Sequence, residues 1–280
     1  MDKSWFFIPG SKDKFLSKST ELSADIIIFD LEDSVVPAEK ASAREKIMPW
    51  LNNPDIHSKK YIRVNEIYSI YFIDDLQALV SEDLDGVVLP KTGAADDVKI
   101  LDYLLTTFEK QNDLKSNDIK IVPLIETGKG MMNALEIASA SPRVEAMAFG
   151  AEDYMLDVSI PGDDNHALLH ARSTLVAASS AAGISQPVDS VFTDFKDEAG
   201  LKEASAMSRG YGFQGRLVIH PKQIETVNEV YAPTRSEVEE AQEIVDAFEA
   251  SIDDGDGAVA VEGKMIDPPV YERAKKLLNM

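Results

Sequence analysis

The chain is 280 residues long and carries 28 Lys+Arg against 49 Asp+Glu, a net charge of −21, with four His and no Cys. Hydrophobic residues make up 44%, enough for a large core, which argues against disorder. The absence of Cys excludes disulfides, thiolate catalysis and Cys-ligated metal centres. The acidity argues against nucleic acid or an anionic membrane as partner, because that affinity comes from clustered Lys and Arg. A small, highly anionic ligand stays open.

The first apolar run, 5–8, is too short for a signal-peptide core. Nowhere do about 18 apolar residues run together, so no membrane span is expected and a cytoplasmic protein is the default. A helical stretch at about 12–22 follows, with Ser11 as its start signal. Apolar runs then recur at 26–29, 61–64, 87–89, 119–124, 146–149, 187–191 and 217–219. Helical patterns separate them at about 38–50, 72–80, 94–110, 129–139, 166–182 and 198–209, and another follows at 221–230; Pro221 is a start, Gly183 and Gly210 are stops. Several runs are apolar throughout, as strands buried on both faces of a parallel sheet read. Eight β/α units in 1–230 predict an α/β fold, a TIM (β/α)8 barrel. The competing open doubly wound sheet lacks its GxGxxG turn after the first strand. Residues 231–280 read as a C-terminal helical/loop extension: a helix at 235–251, a flexible Gly-rich stretch and a short helix at 270–278. About 50 residues make a poor independent core.

Barrel enzymes carry their chemistry at the C-terminal strand ends. Here the first predicted strand leads into Pro9-Gly10 and the second into Asp30, Glu32 and Asp33. The third reaches Arg63 and Asn65, the fourth Lys91, the fifth Glu126, the sixth Glu152 and Asp153, and the eighth His220. Six of eight ends are charged or ionisable while the strand interiors are nearly all apolar, which points to an enzyme. Carboxylates converging from strands 2, 5 and 6 would repel one another unless a cation sat among them. Hard oxygen ligands suit Mg²⁺ or Mn²⁺. Glu126 and Asp153 are the preferred direct ligands, because they close adjacent strands; the plainer reading makes these acids helix caps. Arg63, flanked by apolar residues, needs an anionic partner: Glu32 or Asp33 in a salt bridge, or a substrate carboxylate or developing oxyanion. The two roles are compatible.

The segments FFIPGSKDKFLSK, ADIIIFDLEDSV, IRVN, VLPK, IVPLIETGKG, AFGAEDY, VIHPKQI and GKMIDPP, in order from about residue 4 to 278, resemble the citrate lyase β-subunit-like branch of the HpcH/HpaI aldolase family, which includes the citramalyl-CoA and malyl-CoA lyases. The resemblance implies a barrel, a Mg²⁺ site, a homotrimer, and reversible carbon–carbon cleavage of a hydroxyacyl-CoA into acetyl-CoA and a 2-keto acid. It implies Glu126 and Asp153 as metal ligands, Asp33 as a holder of metal-bound water with Glu32 beside it, and Arg63 on the keto-acid portion and reacting thioester. It further implies Asp267 as a catalytic acid/base reaching a neighbouring subunit's site, and the Gly150-Ala151 backbone on the substrate carboxylate. Lys14 and Lys18 match contacts to the CoA phosphates or pantetheine; spaced i, i+4, they would share one face of a first helix. Arg216 stands where Lys is usual and Lys3 where many relatives have Arg; both keep the charge. His220 fits a CoA-side wall or a packed His equally well, and His57, His166 and His170 read as surface or helix residues. A thioesterase of the same family, an aldolase acting on free sugar acids, and the β-subunit of a citrate lyase complex with a carrier-bound citryl thioester are the alternatives. The choice among citramalyl-, malyl- and citryl-thioesters is set by pocket shape, which sequence does not give.

Overall fold

The computed structural model describes residues 2–115, 118–162, 166–253, 257–261 and 263–279. Eight strands close into a barrel: β1 (Ser4–Pro9), β2 (Ile26–Asp30), β3 (Lys59–Arg63), β4 (Gly86–Leu89), β5 (Lys120–Ile125), β6 (Ala148–Phe149), β7 (Val188–Asp189) and β8 (Gly215–Val218). Neighbours are parallel throughout, and β8 returns to β1 with Phe6 opposite Val218. All eight predicted strands form, so the (β/α)8 expectation is met.

Side chains alternate along each strand. One set packs outward against the helices in a large buried layer that includes Ile27, Phe29, Ile62, Val87, Ile121 and Ile125. The other set fills the barrel: Trp5, Ile26, Ile28, Tyr61, Val88, Val122, Leu124, Ala148, Val188 and Leu217. Trp5 meets Tyr61 edge to face at 5.5 Å, and the Tyr61 hydroxyl donates to Glu145 at the bottom end. The period of two carries this inward set upward from Ile28 to Asp30, from Tyr61 to Arg63, from Leu124 to Glu126, from Ala148 to Gly150, and from Val188 to Ser190. The strand pleat thus aims the site.

The helices depart from expectation in three places. The first covers only Asp13–Leu16, followed by a 3₁₀ turn at Ser19–Glu21. The Ser19 hydroxyl donates to the Leu16 carbonyl at 2.6 Å and Ser17 to Lys14, drawing those acceptors away from a continuing helix. Helix Glu198–Tyr211 runs through Gly210 and stops at Gly212, whose φ of 105° only glycine adopts without strain. A further helix, Ala151–Asp157, follows β6 directly. No described helix is long and apolar enough to cross a membrane.

Contacts divide the chain into Asp2–Tyr231 and a smaller unit, Ala232–Met280. In the smaller unit, helix Arg235–Asp253 packs on helix Pro268–Leu278 through Ala241, Val245 and Ala274, with Phe248 stacked on Tyr271 at 4.7 Å. The stretch expected to be flexible contains an antiparallel hairpin, β9 (Val259–Val261) with β10 (Lys264–Ile266).

Candidate active site

A cavity of about 430 Å³ opens at the C-terminal strand ends, and Asp30, Asp33, Arg63, Glu126, Asp153 and Ser190 are among the residues lining it. Phe7, Leu124 and Leu217 form its apolar floor. The barrel register sets Asp30 beside Arg63. The guanidinium grips that carboxylate with two bonds, Nε to Oδ1 at 2.7 Å and Nη2 to Oδ2 at 2.8 Å. Burial alone would raise the Asp30 pKa; Arg63 and donors from Ser34 and the Glu32 amide outweigh it and hold the carboxyl below its ordinary value. Arg63 also lies 4.8 Å above the Phe7 ring. Its Nη1 faces Glu32 at 3.1 Å and Asp33 at 3.6 Å. Sequence reasoning expected those two acids as partners and passed over Asp30, the stronger one.

Glu32 is buried between two cations, with Lys91 Nζ donating to Oε1 at 2.9 Å. Its Oε2 pairs with Arg63 by charge but lies outside hydrogen-bonding alignment. Burial raises its pKa against the pull of Arg63 and Lys91. Lys91 adopts φ 50°, a left-handed conformation that costs a non-glycine residue energy. In it, the Lys91 amide donates to Glu126 Oε1 at 2.6 Å while the side chain reaches Glu32. One strained residue therefore fixes two acids.

Glu126 is 2% exposed, and burial, then the charges of Glu32 and Asp153, push its pKa up to about 8 despite Lys91 and Arg63. Gly150 leaves room for it: a Cβ there would stand 2.6 Å from both Glu126 Cβ and Oε2. Asp153 sits in the first turn of helix Ala151–Asp157 and faces the same cavity. Among the described residues no three Asp, Glu or His side chains form a complete metal cage. Two carboxylates with the remaining positions left to water and substrate is a coordination Mg²⁺ commonly takes. A buried acid crowded by two others and short of countercharge fits a divalent cation.

Other expected residues are placed differently. The Gly150 amide donates to Ile125 O at 3.0 Å and the Ala151 amide to Ser190 Oγ at 3.2 Å, so neither points unengaged at a substrate carboxylate. Lys14 and Lys18 are both exposed, but the short first helix ends before Lys18, so no single helix face carries the pair. His220 is packed: it stacks on Phe195 at 4.9 Å, and its Nδ1 accepts the Lys222 amide at 3.3 Å. Asp267, in the C-terminal unit, caps helix Pro268–Leu278 by accepting the Val270 amide at 3.2 Å. Asp30 and Lys91 were named at strand ends but given no role, and Ser190 was missed. For Asp30 and Ser190 the signal was available, since each stands two residues beyond an inward-facing strand residue.

The model of the HpcH/HpaI aldolase/citrate lyase family matches residues 3–221. The citrate lyase subunit beta of Escherichia coli strain K12 is 37% identical, covering 99% of this chain and 92% of the relative. The L-malyl-CoA/beta-methylmalyl-CoA lyase of Rhodobacter capsulatus is 35% identical, covering 100% and 94%. Among solved structures, that of CitE from Mycobacterium tuberculosis in complex with magnesium, acetoacetate and coenzyme A is similar with a TM-score of 0.80 at 30% identity, over 99% of this chain and 97% of that one. The chain therefore belongs to the HpcH/HpaI aldolase/citrate lyase family and is a carbon–carbon lyase of that family.

Proposed function

We propose that the enzyme is a Mg²⁺-dependent lyase that splits a short 3-hydroxyacyl-CoA, of the citramalyl-CoA, malyl-CoA or citryl-CoA type, into acetyl-CoA and a 2-keto acid. Glu126 carries this reading: a buried carboxylate pushed up to about 8, with Asp153 on the adjacent strand end and Arg63 across the cavity. Glu126 and Asp153 would hold the ion, for which Mn²⁺ could substitute. When bound, the ion supplies Lewis-acid chemistry, drawing charge from the substrate's hydroxyl and carboxylate oxygens.

The residues of the chain divide the remaining work. As the carbon–carbon bond breaks, its electron pair moves toward the thioester carbonyl, while the hydroxyl passes its proton to the water that Glu32 and Asp33 orient and becomes the keto group. Arg63, held by Asp30 through Nε and Nη2, lines the cavity and stabilises the thioester enolate oxygen. Glu32 and Asp33 orient water beside the ion. Asp267 of a neighbouring copy in a homotrimer protonates the enolate carbon, and in reverse removes a methyl proton of acetyl-CoA. Lys14 and Lys18, exposed at the same end of the barrel, receive the CoA phosphates.

The reading is tested by incubating acetyl-CoA or propionyl-CoA with glyoxylate, pyruvate or oxaloacetate and Mg²⁺, and scoring products by mass. Condensation with at least one pair is expected, and its loss in Asp267→Asn. Thioester hydrolysis without condensation would overturn the lyase reading in favour of a thioesterase. Activity confined to a carrier-bound citryl thioester would favour a complex subunit, a reading that the 37% likeness to a citrate lyase subunit beta keeps in view.

A further inference from the structure

β7 ends on a buried charge, Asp189, that is braced by two arginines. Asp189, fully buried, accepts Arg172 Nε at 3.1 Å on Oδ1 and Arg216 Nη2 at 2.9 Å on Oδ2. The Arg216 fork continues upward: Nη1 donates to the carbonyl of Ser190 at 2.8 Å, and Nη2 also to Ala204 O at 3.0 Å. Three acceptors held from one planar group need the fork of arginine; the single ammonium of a lysine would not span them in the same geometry. The backbone of Ser190 is thereby fixed at the cavity wall.

Ser190 is 3% exposed and lines the main cavity beside Glu126 and Gly150. It also lines a smaller chamber of about 160 Å³, with Ala151, Glu152 and Val191 common to both walls. A hydroxyl has one proton to give and two lone pairs to accept with. One lone pair of Ser190 Oγ takes the Ala151 amide at 3.2 Å, and among the described residues its proton goes to no acceptor. A buried hydroxyl with an unspent donor costs stability unless something in the cavity takes it. Among the described residues no histidine or carboxylate hydrogen-bonds the oxygen, so it is not set up as a nucleophile.

We infer that Ser190 is a further substrate-binding residue, its hydroxyl donating to a carboxylate oxygen of the bound 2-keto acid, with Arg216 as the residue that positions it. The inference rests on the reading that the main cavity binds a 2-keto acid. It also gives the Ala151 amide a different part. The amide does not contact the carboxylate itself but polarises, through Oγ, the hydroxyl that does. Such relayed donation strengthens the outer bond. The ligand at this wall therefore presents an anionic or strongly accepting oxygen toward β7.

The test uses the full-length enzyme with Mg²⁺, and measures by calorimetry the affinity for glyoxylate, pyruvate and oxaloacetate, with KM and kcat taken from condensation with acetyl-CoA. Ser190→Ala is expected to raise Kd and KM for the 2-keto acid roughly 10-fold or more, the scale of a lost hydrogen bond to a charged group, with KM for acetyl-CoA unmoved. Ser190→Thr, which keeps the hydroxyl, should restore most of the affinity. Arg216→Lys should weaken 2-keto-acid binding in the same selective way while the hydroxyl is still present. Unchanged or tighter binding in Ser190→Ala, with wild-type binding evident, would overturn the inference alone, leaving Ser190 a mere occupant of the Ala151 amide. A wild type that binds none of the three acids would overturn the reading of the cavity and this inference together.

Discussion

Two buried arginines show how differently one fold can spend the same side chain. Arg143, outside the barrel sheet, uses all five of its N–H donors: Nε to Asp102 at 2.6 Å, Nη1 to Glu109 at 2.7 Å and to Ile119 O at 3.0 Å, and Nη2 to Glu109 at 2.6 Å and Thr106 at 3.0 Å. Nothing there is left for a ligand. Arg63, at the barrel mouth, makes two hydrogen bonds to Asp30 and faces Glu32 and Asp33 only by charge, while Glu126 and Asp153 crowd the same cavity without enough cation between them. The first cluster ties a helix to the strand connection and is finished in the folded chain. The second is held in place but electrostatically incomplete, and incompleteness in a rigid frame is what marks a site.

Substituting the two arginines should separate these roles. Arg63→Lys keeps the charge but loses the double grip on Asp30, and should lower kcat/KM by about 10²–10³-fold, the scale of a lost oxyanion donor. Its stability should suffer less than that of Arg143→Met, which takes two charged donors from the fully buried Glu109 and should cost about 3–5 kcal/mol in chemical denaturation. Arg143→Met assayed well below its denaturation midpoint should turn over as the wild type does. A loss of turnover there, or a larger stability loss at Arg63, would dissolve the contrast.

The smallest expected effect is on acid stability. Asp30 has its carboxyl pKa held below the ordinary 3.8, so the pair with Arg63 stabilises the fold above that value, and the contribution is lost as pH falls through the depressed one. Melting temperature measured from about pH 5 to pH 2 should therefore fall less steeply in Asp30→Asn than in the wild type, from a lower starting point. Parallel curves would mean that the pair contributes no pH-dependent stability.

Most of the barrel was legible because its strands are apolar on both faces and its chemistry is not. Charge at strand ends located Glu126, Asp153 and Arg63 in one cavity. Composition could not locate Ser190, which is neutral, nor rank Asp30 above Glu32. The strand period could have located Ser190 and turned Asp30 into the cavity, since Ile26, Ile28 and Asp30, or Val188 and Ser190, share one side of the pleat. Glu32 has the same parity, so the period does not rank the two acids. What sequence could not supply was competition for acceptors. Serine hydroxyls cut the first helix short before Lys18, and Ser190 holds the Ala151 amide that the resemblance assigned to substrate. Lys91 was seen at a strand end, but its part was not, because that part depends on a φ of 50°, which no residue pattern around it announces.

The crowded acids at the mouth are proposed to form a divalent cation site. Calorimetric titration of the metal-free protein with Mg²⁺, repeated on Glu126→Gln, tests it directly. One ion per chain is expected in the wild type, and none at the same concentrations in Glu126→Gln, whose fold should be no less stable because the substitution relieves repulsion from Glu32 and Asp153. Absence of Mg²⁺ binding in the wild type, or equal binding in Glu126→Gln, would contradict the claim.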